Sequence, residues 1–200
     1  MRYSLINLLI ILNFCLSGIP DTSDENWVEM QRESIEIDYL WIDGIPWCKS
    51  KIKLDYSIDE ILNIIKNISN YKLVFDSVIH SKEYDNNIVH IILDLPGMFS
   101  KRDYVVKFSL LEDKHNKTII YEFESINGFI ENNQNYVRLN NAGGQWRLKS
   151  IANNLTEVTY IWNGEMLGNF PSWGLKRAWV KQGNEVLGNL RSALIKNGDF

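Results

Sequence analysis

The side chains that could do bond-making chemistry are few and scattered. Histidines stand at 80, 90 and 115, without the spacing that would place two imidazoles on one metal. The two cysteines, Cys15 and Cys48, make no metal-binding or redox pair. There is no G-x-S-x-G nucleophile turn and no phosphate-binding loop. Asp94 and Asp103 could serve as a general base, but no residue pattern singles them out. No metal or cofactor is expected, and no catalysis. What the chain has in quantity is rings: 7 Trp, 9 Tyr and 8 Phe in 200 residues. Aromatic side chains bury large areas, and Tyr and Trp add a polar tip that needs a partner when buried. The chemistry on offer is recognition of an apolar molecule, with tips to orient its polar end.

Such a molecule would be met by alternate residues along strands that share one face. One phase gives Tyr104, Val106, Phe108 and Leu110. Neighbouring runs add Ile119, Tyr121 and Phe123, then Trp146 and Leu148, then Val158, Tyr160 and Trp162. The candidate ligand-contacting set is Tyr104, Val106, Phe108, Tyr121, Phe123, Arg138, Trp146, Tyr160 and Trp162, with Val180 and Leu187 from a C-terminal helix. Tyr121, Tyr160 and Trp162 are the candidates to orient a head group. Arg138, if it points inward, must pair with a carboxylate such as Glu122 or Glu124, or with an anionic ligand. If it points outward it is a surface charge. Arg102-Asp103 reads as an ion pair or turn anchor rather than a catalytic unit. A tunnel wall and a filled core share this composition, and both readings stand.

The elements that must position these residues follow from period. Ile35, Ile37, Tyr39 and Trp41 alternate with polar residues, Asp43-Gly44 marks a hairpin, and Trp47 to Asp55 continues as a strand with Lys49, Lys51 and Lys53 on its polar face. Ser57 to Ile68 is a helix opened by a capping box, Ser57 with Glu60. Strands are expected at 73–81, 87–93, 103–111, 118–126, 135–139, 144–151 and 155–163, close enough together to be antiparallel. After Asn169 and Pro171 the period is helical to about Lys196, with Trp173, Val180, Leu187, Leu190 and Leu194 on one stripe. Gly183 and Gly188 interrupt that helix, either for close packing or as a pliable lid. The order predicts an α+β domain with helices on one side of an antiparallel sheet.

Several stretches are recognisable in order. They are Ser100-Lys101-Arg102-Asp103-Tyr104-Val105, Tyr136-Val137-Arg138, Gly144-Gln145-Trp146-Arg147-Leu148, Thr156 to Tyr160, and Gly168-x-x-Pro171-x-Trp173. With Trp27 and Asp43-Gly44-Ile45, they resemble the START/SRPBCC (helix-grip) superfamily over nearly the whole chain after the leader. The resemblance implies a curved antiparallel sheet wrapped around a long C-terminal helix, with a hydrophobic tunnel that binds a lipid or other apolar small molecule and can transfer it. It also admits an enzyme of the cyclase or hydrolase kind, or an interaction or stress protein with a vestigial pocket. Phe108 stands where sterol-carrying members place a buried arginine paired with an acid. The pair is not reproduced, which points to a more purely apolar pocket.

Residues 1–18 read as a leader: Arg2, an apolar run from Leu5 to Leu16, then Ser17 and Gly18. Residues 19–26 form a polar linker and 27–200 the START-like domain. Export is expected, with lipidation of Cys15 or an uncleaved anchor as alternatives. A formal charge of −4 offers no general attraction for nucleic acid. The expected partners are an apolar ligand and a membrane surface, and the expected state is a monomer. The leader reading has a direct check. Intact mass of protein from the exporting host should show cleavage after Ser17 or a diacylglycerol increment at Cys15; a full-length cytosolic product would contradict it.

Overall fold

In a computed structural model, residues 18–95 and 99–198 are described; the expectations for the leader lie outside them. The chain begins with a strand that its sequence does not announce, β1 (Val28–Arg32), followed by β2 (Glu36–Ile42) and β3 (Ile45–Leu54). The β2–β3 turn uses Asp43 at φ 50° and Gly44 at φ 81°. Two residues of positive φ match the right-handed twist of the flanking strands, which is why Asp-Gly fits there. α1 (Ile58–Lys66) has the expected capping box. It buries Ile61, Ile64 and Ile65.

A 3-10 turn (Ile68–Asn70) and a single helical turn, α2 (Tyr71–Val74), come next. The strand expected from residue 73 therefore starts later, as β4 (Val78–Tyr84). The apolar run 73–75 is divided: Leu73 is exposed and Phe75 is buried, a helical rather than a strand pattern. The remaining strands are β5 (Ile88–Leu93), β6 (Lys101–Asp113), β7 (Thr118–Ser125), β8 (Tyr136–Arg138), β9 (Gly143–Ala152) and β10 (Leu155–Asn163). α3 (Leu175–Gly198) follows a 3-10 turn at Ser172–Gly174.

The strands form one curved sheet in the order β1-β2-β3-β10-β9-β7-β6-β5-β4, with β8 added to β6. Every pairing on the main path is antiparallel. β8 is the exception: it runs parallel to β6, Arg138 opposite Asp103, because it follows a long return loop rather than a hairpin. The lysine row on β3 is absorbed by β2 and the linker. Lys49 lies 3.4 Å from Asp38 and over the Trp27 ring, and Lys51 pairs with Glu36 at 2.8 Å. Cys48 is buried, and burial pushes its thiol well up, so it behaves as a small core residue.

The hollow of the sheet holds α3. Trp179, Leu187, Leu190 and Leu194 are its fully buried residues. Trp173, expected on that stripe, is 85% exposed instead, because it falls in the 3-10 turn before the helix begins. The two helix glycines differ. A methyl group at Gly183 would sit 3.0 Å from Ile37 and 3.2 Å from Ser50 and Trp162, whereas one at Gly188 would meet nothing within 4 Å. Gly183 is thus a close-packing residue. Gly183→Ala should cost about 1–3 kcal/mol through overpacking, while Gly188→Ala should stabilise by up to about 1 kcal/mol. Chemical denaturation of the two variants checks this; equal effects would refute the assignment.

Candidate functional site

Between the sheet and α3 lies a cavity of about 410 Å³. Its sheet wall is a layer of rings. Trp146 lies 4.4 Å from Tyr160 and 6.1 Å from Phe75, and Phe108 lies 5.4 Å from Phe123. Because these rings pack against one another along the sheet, they do not reach across to the helix. The helix side is small or polar: Gly174, Ala178, Gln182 and Glu185. That asymmetry leaves the space open. Phe99, Phe170, Pro171 and Trp173 frame its outer end, with Phe99 and Phe170 4.7 Å apart.

Of the residues expected to touch a ligand, Tyr104, Phe108, Phe123, Trp146 and Tyr160 line this cavity. Trp162 lines a smaller adjoining void of about 50 Å³, together with Tyr104, Phe123 and Tyr160. Tyr121 lies on the same face but beyond the cavity's edge, stacked on Phe108 at 4.7 Å, and burial pushes its phenol up to about 12. Val106 and Leu187 are completely buried in the packed core, and Val180 is half-buried against it. The cavity face begins at Gly174 in the 3-10 turn and continues along α3 with Ala178, Gln182 and Val186, one residue ahead of the buried row and so turned about 100° from it. Small and polar residues at i, i+4 and i+8 were its only sequence signal. Leu93, Leu95, Met166 and Phe170 were missed because they sit at strand ends and in loops, where no period marks them.

Arg138 is not among the ligand contacts. Its guanidinium grips Asp103 with two hydrogen bonds, at 3.0 and 2.7 Å, and donates to the Ile130 carbonyl at 3.1 Å. Strand alternation puts Asp103 on the face opposite Tyr104 and the cavity. The parallel register of β8 makes Asp103 the partner rather than Glu122 or Glu124. His90 joins the cluster, 3.0 Å from Asp103. Arg102 is separate from its neighbour. It points to the cavity side, where it donates to the carbonyls of Ser100, Met166 and Leu167 and so anchors the loop before α3. Among the described residues no group of three or more His, Cys, Asp or Glu is placed to hold a metal.

A curved antiparallel sheet curled on a long C-terminal helix is shared with known structures. A STAR-related lipid transfer protein from Xanthomonas axonopodis superposes with a TM-score of 0.75 at 22% identity, covering 85% of this chain and 99% of that one. Human StAR-related lipid transfer protein 5 gives 0.77 at 11% identity, covering 89% of each chain. The chain has the START fold. A more distant neighbour with that fold, an aromatase/cyclase from Streptomyces, gives 0.53 at 10% identity over 76% of this chain and 94% of that one. No family model matches the sequence. A curated relative, an uncharacterized protein of Pseudomonas aeruginosa, is 29% identical over 104 residues, 52% of this chain. The match spans about half, 51%, of that relative's length. The START fold thus hosts both lipid transfer proteins and an aromatase/cyclase, and fold alone does not choose between them.

The Asp103–Arg138 pair holds the START fold at the back of this wall. Burial alone would raise the Asp103 carboxyl; the hydrogen bonds from Arg138 and His90 outweigh it and hold it below its ordinary value. A carboxyl depressed in this way stabilises the fold above its ordinary value of about 4 and loses that contribution as the pH falls through its folded value. Arg138→Leu should therefore cost about 3–5 kcal/mol near neutral pH, by stranding a buried carboxylate. With Arg138 gone the carboxyl loses its main lowering partner, so the deficit should shrink steadily as the medium is acidified from neutral toward the wild type's folded value. Denaturation curves at several pH values read both effects, and a pH-independent deficit would exclude the buried carboxylate as its source.

Proposed function

We propose that this protein binds a lipid or other apolar small molecule in the cavity between sheet and helix, and can carry it between membranes. The observation that carries this reading is the cavity itself. Large-to-small core substitutions cost about 24 cal/mol per Å³ of void. On that scale, filling 410 Å³ with side chains would be worth on the order of 10 kcal/mol. That equals the net stability of a typical domain, about 5–15 kcal/mol. Ala178 on the cavity wall forgoes part of that gain where a larger apolar residue would collect it. The lipid-transfer names of the two START-fold neighbours at 0.75 and 0.77 agree with a carrier.

Catalysis has less support. Among the described residues, the His–carboxylate pair with the geometry of a dyad, His90 with Asp103, lies on the far side of the sheet from the cavity and is committed to Arg138. The residues at the cavity mouth suit a membrane surface. Trp173 is 85% exposed there, with Phe99 at 36%, and Arg177 and Lys181 line the cavity from α3. Aromatic and basic side chains together favour the interface of an anionic bilayer. Among the described residues no helix is long and apolar enough to cross a membrane. An exported, monomeric carrier that docks by this mouth is the reading the leader and the mouth support together.

The test is purification under native conditions, organic extraction and mass spectrometry. An apolar molecule should be recovered in near-stoichiometric amount, and the stripped protein should bind a neutral naphthylamine dye. A folded protein that yields no molecule and binds no dye would overturn the proposal.

A further inference from the structure

The larger and smaller chambers meet at three polar side chains. Tyr104, Tyr160 and Gln182 each line both voids. Other buried polar tips nearby have partners: the Tyr71 hydroxyl donates to the Ile65 carbonyl at 2.5 Å, and the Trp179 indole donates to the Gly164 carbonyl at 2.8 Å. The hydroxyls of Tyr104 and Tyr160 and the amide of Gln182 have none among the described residues. The Trp162 indole N–H, on the wall of the smaller chamber, is also buried without a partner. Buried polar groups in proteins are nearly always hydrogen-bonded, and each one left unmet costs about 1–3 kcal/mol. Of these groups the Trp162 indole carries that cost in full; the tips of Tyr104, Tyr160 and Gln182 face the cavity space beside it, and together they make one waist of an otherwise apolar cavity a place for polar atoms that the protein does not supply.

The surroundings define those atoms. Burial pushes both phenols well up, so they remain neutral. Charge in the smaller chamber is already engaged. Arg102 is held by three carbonyls, and Glu165 accepts from Asn141 at 2.8 Å. Arg102 keeps its positive charge and Glu165 stands on the same chamber with the opposite sign, while the waist itself presents only the neutral tips of Tyr104, Tyr160 and Gln182; an ionic head seated there would have no charged contact of its own, and an uncompensated buried charge is costly. Size limits the rest. At about 30 Å³ per water-sized group, the larger chamber's 410 Å³ matches one chain of a dozen or so carbons better than the two chains of a phospholipid.

We propose that the ligand is a single-chain amphiphile with an uncharged hydrogen-bonding head, seated with its head at Tyr104, Tyr160 and Gln182 and its chain in the larger chamber. This rests on the apolar-ligand reading above and adds the class of molecule. The experiment is displacement of a neutral naphthylamine dye from the full chain by probes of one chain length: dodecanol, dodecane, dodecanoate and dodecyltrimethylammonium, with dioleoylphosphatidylcholine as the two-chain comparison. Dodecanol should displace the dye at concentrations about tenfold lower than any other probe. In the Tyr104→Phe/Tyr160→Phe variant, which keeps both rings, dodecanol should weaken about tenfold, to the level of dodecane, and dodecane should be unchanged. Equal displacement by dodecane and dodecanol would overturn the polar waist while leaving the apolar-ligand reading intact. So would a dodecanol response that survives the double variant. Stronger displacement by a charged probe would overturn the uncharged head, and stronger displacement by the phospholipid would overturn the single chain. A folded protein that binds neither dye nor probes would overturn both readings. The wild-type series decides the head group even if the variant does not fold.

Discussion

The grip of the sheet on its helix depends on two consecutive residues of α3. Asn184 exchanges two hydrogen bonds with Gln31 on β1, at 3.0 and 2.9 Å. Glu185 accepts from the Ser77 backbone at 2.8 Å, and from the Ser77 hydroxyl, just before β4. β1 and β4 are the two edges of the sheet. Neighbouring helix residues point about 100° apart, so one step along the chain reaches both rims. Asn189 repeats the second contact one turn on, bonded to Asp76. The edges are therefore held by directional bonds to the helix, and the curvature of the sheet does not rely on a filled interior.

That division of labour lets a void persist. Along α3 the buried row, Trp179, Leu187, Leu190 and Leu194, secures the helix against one half of the sheet, with Gly183 allowing the closest approach. The row one residue earlier, small or polar except for Val186, faces the rings of the other half. If the helix were held only by apolar packing, it would sink toward the rings and close the cavity, since contact with both walls gains dispersion energy at no directional cost. The edge bonds and the Trp179 anchor to Gly164, at 2.8 Å, fix its height instead.

The sequence shows the architecture more clearly than the site. Strand alternation, the Asp43-Gly44 turn, the Ser57 capping box and the late helical period are local signals, and the structure carries each of them. β1 escaped because its alternation is only Val28 and Met30 over five residues, too short a run to stand out at a solvent-facing edge. Tyr104, Phe108, Phe123, Trp146 and Tyr160 were legible as wall residues because period 2 sorts a strand into faces. Nothing in period 2 says how far up a face the packing ends and the void begins, so Val106 and Tyr121 look the same as Phe108 in sequence. The partner of Arg138 was illegible for another reason. It is set by a parallel pairing across a loop, and no local pattern encodes such a register.

Arg102 and Asp103 show what alternation does when both neighbours are polar and buried. Arg102 faces the cavity side and fastens Met166 and Leu167, in the loop that leads to α3. Asp103 faces the other way and fastens Arg138, and through it the carbonyl of Ile130 in the return loop. Both loops are thus registered on one strand, β6, which also supplies Tyr104 and Phe108 to the wall. Phe99 and Phe170 at the mouth each lie 6.0 Å from the same guanidinium. A shift of β6 would move the wall, both loops and the mouth together. The pair of charges therefore acts as a positional reference for the cavity, a role that needs rigidity from both residues and no chemistry from either.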